Sequence, residues 1–213
     1  MKNVIDHLTL VLILVLIGLS IYGAFIGADR ARAFFNSPPL SVFWIAATIL
    51  IMVSLVGAAR LQRPPLRVMH AGIVLVLLGT MAASEQGHRL HGAVTGQVRP
   101  VQGFMILSEG QASNTLMVPD RHEPFMLDFH IHLNDLQVAY DCGTGTVKEV
   151  LSRVDVTDDG QVVQSGTIGI NHPLHAGGFH FYQSDFDGKQ HRYTVLKAVS
   201  DRGLAAVYAG YAC

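Results

Sequence analysis

Histidine offers the most chemistry in this chain, with 11 in 213 residues. Five of them fall in two short runs. MLDFHIHLNDL carries His130 and His132, and INHPLHAGGFHFYQSDF carries His172, His175 and His180. Neutral imidazole ligates zinc, copper and iron, so either run has the donor type for a metal or haem site. The spacing leaves the choice open. His130 and His132 stand two apart, which puts both rings on one face of a strand. That placement serves a metal, and it serves an ordinary solvent face equally well. In the second run Pro173 fixes φ and disfavours helix before it, and Gly177 and Gly178 free the backbone to start a new strand. His180 and Tyr182 then share one face, and Phe179 and Phe181 the other. Turn chemistry and packing account for most of this run without a ligand.

His70 has a different setting. It opens an apolar run, MHAGIVLVLLGTMAA. An ionisable residue at membrane depth is costly and marks function by default, and imidazole is a common axial ligand of haem iron. The plainer alternative is an interfacial side chain that reaches back to water. His7, at the start of the first apolar run, fits that alternative better. The cysteines Cys142 and Cys213 form no CxxC and no CxxCH. The chain therefore carries neither a thioredoxin-type redox pair nor its own c-type haem attachment site. Cys142 reads as a lone buried cysteine, although thiol chemistry is open to it.

The elements that position these residues fall into two classes. The chain is 50% hydrophobic and 15% charged, with mean hydropathy +0.35. Soluble domains carry about 25% charged residues, so a membrane class is favoured. Net charge is −1 and there is no long basic run, which argues against nucleic acid as a partner. Residues 8–27 and 40–59 are apolar runs of the roughly 20 residues that cross a bilayer, and residues 69–84 form a shorter third. The first run is too long for a signal peptide and lacks a small-residue cleavage site, so it reads as retained. The loop RLQRPPLR holds Arg60, Arg63 and Arg67 and no acid, which places it and the N-terminus in the cytoplasm. Everything after about Ser84 then lies outside. Gly23 with Gly27, and Gly79 with Ala83, have the spacing of close helix contacts. Residues 201–213 turn apolar at Leu204 and read as the start of a truncated fourth helix.

Residues 85–200 change to a period of two. Leu127, Phe129, Ile131 and Leu133 fall on one face of a strand. VDVTDDGQVV reads as a hairpin turned at Asp159 and Gly160. SGTIGINH, GGFHFYQS and HRYTVLKAV read as further strands of a small sandwich or partial barrel. Residues 87–120 are Gly-rich with weak patterning and read as beginning with a linker. The expected fold is thus an α + β membrane protein, with three N-terminal transmembrane helices and a β-rich extracytoplasmic domain.

These segments together resemble the ResB (CcsB) family of cytochrome c biogenesis proteins, in its short form. The resemblance runs through LRVMHAGIVLVLLGT, EPFMLDFHIHLNDLQVAYD, SRVDVTDDGQVVQSGTIGINHPLHAGGFHFYQSDF and VSDRGLAAVYAG. Its most specific part matches the family's VNxPLxxxGxxxYQxxY signature at Asn171, His172, Pro173, Leu174, Gly178, Tyr182 and Gln183. His175 and His180 lie where that signature is free, which weakens a metal reading, and no metal ligands are assigned. The resemblance implies a subunit that works with a CcsA-type membrane partner, carries haem b transiently across the membrane and supports its attachment to apocytochrome c. It implies His70 as an axial haem ligand, with the other ligands and the tryptophan-rich segment on the partner. This chain has one tryptophan, Trp44. A thiol-disulfide reductant is implied too, as is a place in the bacterial cytoplasmic membrane in contact with its lipid. The subunit would be accessory to a cytochrome c haem lyase complex, with no catalytic residue of its own assigned. Two other functions remain open: a b-haem electron-transfer subunit, and a membrane-anchored module holding a metal on His130, His132, His172, His175 and His180.

Overall fold

The computed structural model describes residues 2–58, 64–96, 99–119 and 123–213. Arg60 and Arg63 of the basic loop, Ala59 at the end of the second apolar run, and Asp120 lie outside these residues. The chain divides into two compact units, one of Met1–Gln97 with Arg202–Cys213 and one of Val98–Asp201.

The first unit is helical: α1 (Lys2–Ile26), α2 (Ala28–Phe35), α3 (Pro38–Ala58), α4 (Pro64–Ala83), α5 (Glu85–Thr95) and α6 (Leu204–Tyr211). Among the described residues one helix, His7–Ile26, is by itself long and apolar enough to cross a membrane. Arg67–Ala83 and Glu85–Thr95 pass the same test together, bent by 74° at the break. Pro38–Val53 is a shorter apolar helix. Leu40, Ala47, Thr48 and Ile51 of α3 are buried, and the Thr48 hydroxyl lies 3.6 Å from Met81 Sδ of α4.

Glycine sets the closest approaches. A Cβ on Gly79 would stand 2.7 Å from the Gly203 carbonyl oxygen and from a Val207 methyl, and one on Gly72 would stand 2.6 Å from the Gly210 oxygen. Gly79 thus belongs to an α4–α6 seam where backbones nearly touch. Gly23 and Gly27 do not make a second seam. Gly23 makes room for the Phe35 ring of α2, and Gly27, at φ +84°, ends α1.

Helix α5 corrects the expectation of a linker from Gly87 and of β structure from residue 85. Ser84 caps it, its hydroxyl accepting from the Gly87 N–H at 3.1 Å, and Gly96 closes it in the left-handed region. Within the helix Arg89 pairs with Glu85 at 3.0 Å.

The second unit is a pair of four-stranded antiparallel sheets. One has the order β1 (Gln102–Ser108), β8 (Tyr193–Ser200), β7 (Phe179–Phe186), β6 (Leu174–Ala176). The other has β2 (Ala112–Leu116), β3 (Phe125–Tyr140), β4 (Val147–Asp158), β5 (Gln161–Ile168). The alternation in β3 holds: Leu127, Phe129, Ile131 and Leu133 point into one apolar core with Met105, Leu107, Val154, Ile168, Phe179, Phe181 and Leu196. The core draws on both sheets, as a sandwich requires. The β4–β5 hairpin turns at Asp159 and Gly160, φ +46° and +76°, the left-handed pair of a type I′ turn.

Candidate functional site

His70 sits on α4, six residues after Pro64, and is half-buried. His7, on α1, is exposed. A histidine that the sequence did not single out, His88 on α5, is 5% exposed. Its Nδ1 lies 2.9 Å from the Ser84 carbonyl oxygen, and its Nε2 has no hydrogen-bond partner among the described residues. His70 and Ala83 are separated by 13 residues of one helix, about 20 Å at 1.5 Å per residue, and His88 lies beyond that end. The two imidazoles cannot ligate one iron. His70 and His88 thus do not form one site in the helical unit.

In the β unit the residues of the INHPL…YQ run have structural work. Gly169 and His172 exchange backbone hydrogen bonds of 3.0 and 3.2 Å around Ile170 and Asn171. Leu174 is in the core. Gly178 takes φ +79°. Gln183 joins the sheets: its side-chain oxygen accepts from Ser152 Oγ of β4 at 2.8 Å, and its nitrogen lies 2.8 Å from Thr194 Oγ1 of β8. Ser152 and Thr194 are fully buried, so this contact satisfies polar groups that the core would otherwise strand.

The five histidines that the sequence singled out in the β unit separate. His130 is exposed on β3. His132 lies 2.6 Å from Asn134 Oδ1, and Asn134 donates to Asp155 at 2.8 Å, a polar chain on the outer face. His172 faces solvent in its turn. His175 and His180 come together, with ring centroids 3.4 Å apart. Asp201, which the sequence did not flag, joins them, and one ligand atom from each of the three lies within 4.8 Å of the others. His180 does share a face with Tyr182, as strand alternation suggested: it is 7% exposed and stacks on Tyr182 at 6.1 Å. Burial, reinforced by His175, holds its pKa below the ordinary imidazole value, with Asp201 opposing the shift. Asp201 was missed because it lies 21 residues from His180 in sequence. The signal available was its place just after the last strand, β8.

Cys142 is exposed, contrary to the expectation of a buried cysteine. It sits in the loop after β3, where Asp141 turns the chain by accepting from the Gly143 and Thr144 N–H groups at 2.8 and 3.1 Å. A hydrophilic turn leaves no apolar pocket for a thiol.

Set beside known proteins, residues 59–206 match the model of the ResB-like family. The chain is 29% identical over 121 residues to a cytochrome c biogenesis protein Ccs1 of Rhodomonas salina, which covers 56% of this chain and 24% of that protein. It is 28% identical over 118 residues to a cytochrome c biogenesis protein CcsB of Synechococcus sp. (strain JA-3-3Ab), covering 55% of this chain and 22% of that protein. The match thus spans less than a quarter of the length of these curated relatives.

Proposed function

Because the chain belongs to the ResB-like family, we propose that it serves cytochrome c biogenesis as a multi-pass membrane subunit that moves haem outward with a CcsA-type partner. The extent of the family match carries this reading. Residues 59–206 take in α4 with His70, α5 and all eight strands. The relatives' names add the process, cytochrome c biogenesis.

In this reading α1, α3 and α4 cross the bacterial cytoplasmic membrane. Among the described residues His7–Ile26 by itself meets the length and apolarity of a span, and the apolar runs 40–59 and 69–84 support the reading for α3 and α4. The N-terminus is cytoplasmic and the β unit lies outside. Haem b is the cargo. His70 supplies one neutral imidazole as an axial ligand, and the partner supplies the other. Bis-imidazole ligation holds the iron without committing it to covalent chemistry, so the cargo can move on. The β unit docks the partner's outer surface or the apocytochrome. Thioether formation needs reduced CxxCH thiols on the apocytochrome. A thiol reductant keeps them reduced.

The test is holocytochrome formation. The chain would be co-expressed with a CcsA-type partner and an apocytochrome c, and covalent haem scored by peroxidase staining of denatured protein. His70→Ala should lower the yield several-fold, and added imidazole should restore it. A yield unaffected by His70→Ala would remove this residue from the haem path.

A further inference from the structure

The β6–β7 hairpin has the form His-Ala-Gly-Gly-Phe-His. Gly177 and Gly178 take φ +56° and +79°, the two left-handed residues of a tight turn. Ala176 and Phe179 close that turn, and His175 faces His180 in the next rung. In an antiparallel ladder the pair next to the closing pair is the non-hydrogen-bonded one, where opposing side chains come closest. The two imidazoles are accordingly in contact.

A third donor arrives from another strand. Ser200, at the end of β8, pairs with Phe179, and the Asp201 N–H donates to the Gly178 carbonyl at 3.2 Å. That bond pins the carboxylate beside the same turn. The site is therefore built from two elements, with one imidazole exposed, one buried and a half-buried carboxylate. One nitrogen of each ring lies within 4.8 Å of a carboxylate oxygen of Asp201.

Arg99 borders the turn as well. Its Nη1 donates to the Gly177 oxygen at 3.1 Å and its guanidinium lies over the Phe179 ring. It is the cation that a bound metal would have to tolerate. A Cβ built on Gly178 would lie 2.8 Å from Arg99 Nη1 and 3.5 Å from Asp201 Oδ1, so the guanidinium stands on the same side of the turn as the carboxylate and competes with a cation for it.

We propose that His175, His180 and Asp201 form a binding site for one divalent transition-metal ion of the zinc and copper class. Two imidazoles and a carboxylate are the donor set such ions take, and three protein ligands leave a position for water or a partner's side chain. Tetrahedral zinc at 2.0–2.1 Å from its ligands needs donors about 3.3–3.4 Å apart. The donors here lie within 4.8 Å of one another, so a bound ion would draw the His175 ring and the Asp201 carboxylate inward. The site lies wholly within the β unit and does not depend on the haem reading.

The test uses the full chain in detergent, purified without a polyhistidine tag and stripped with chelator. Equilibrium dialysis against micromolar Zn(II) should return one bound equivalent. Co(II) in its place should give visible d–d bands, which report coordination directly. His175→Ala alters an exposed side chain and Asp201→Asn keeps shape, so both should fold, as circular dichroism would check. Each should weaken zinc binding at least about tenfold, the lower range of loss even for a supporting residue. Each should also abolish the cobalt bands. The double variant His130→Ala, His132→Ala should bind like the wild type. Absence of binding at micromolar zinc would overturn the proposal, and so would binding that survives His175→Ala and Asp201→Asn.

Discussion

Buried His180 makes the β unit sensitive to mild acid. Its folded pKa lies below the ordinary value of about 6.5, chiefly because burial disfavours the imidazolium. The groups that face it are His175 on β6, Tyr182 on β7 and Asp201 after β8. Below about pH 6.5 the unfolded chain takes up a proton that the folded one refuses, so stability is full above that value and falls as pH drops toward the folded pKa. Urea unfolding, followed by the sheet signal in circular dichroism, should show a midpoint that declines through this window. The decline should be shallower in His180→Leu. Equal slopes for the two proteins would mean that His180 is not the group responsible. Sequence reading reached half of this residue-level picture. It placed His180 opposite Phe179 and Phe181, which is right for a strand, but it could not see what covers that face. Asp201 and the facing His175 depend on strand register and on the end of β8. Gln183 is a similar case, because its partners Ser152 and Thr194 lie 31 and 11 residues away.

Among the elements, strands and turns were the most legible. In β3 each apolar side chain of the alternating set is in the core, and the Asp159 and Gly160 turn has the backbone that its residue types favour. Helix α5 was not legible, because Gly87 and Gly92 interrupt its sequence EQGHRLHGAVT and its apolar residues are few. What starts it is Ser84, a cap that reads equally well as a loop residue. The α4–α6 seam was half legible: small residues announced a close contact at Gly79, but not which helix fills it. That seam carries a prediction. In Gly79→Leu the new side chain would meet the Gly203 carbonyl oxygen and Val207, and backbone at that distance has no room to yield. Helix α6 should detach, and trypsin should cleave after Arg202 several-fold faster than in the wild type. An unchanged cleavage rate would show that the seam accommodates bulk.

For the whole molecule, the proposed topology puts the β unit outside the cell. Exposed Cys142 reports on this directly. In a Cys213→Ser variant, a membrane-impermeant maleimide should label intact spheroplasts at Cys142. Labelling that requires lysis would place the β unit in the cytoplasm and invert the topology. Sequence carried the division into an apolar helical part and a β part, because composition and period change together near residue 85. The boundary itself falls later, since α5 groups with the helices and the second unit begins at Val98. The central claim is that this chain contributes His70 to a haem held within the membrane. The direct measurement is the reduced absorption spectrum of the complex purified with its CcsA-type partner, compared between wild type and His70→Ala. A bis-imidazole spectrum that weakens or shifts in the variant and returns with added imidazole is the expected result. A spectrum that His70→Ala leaves unchanged would put the haem wholly on the partner and contradict the claim.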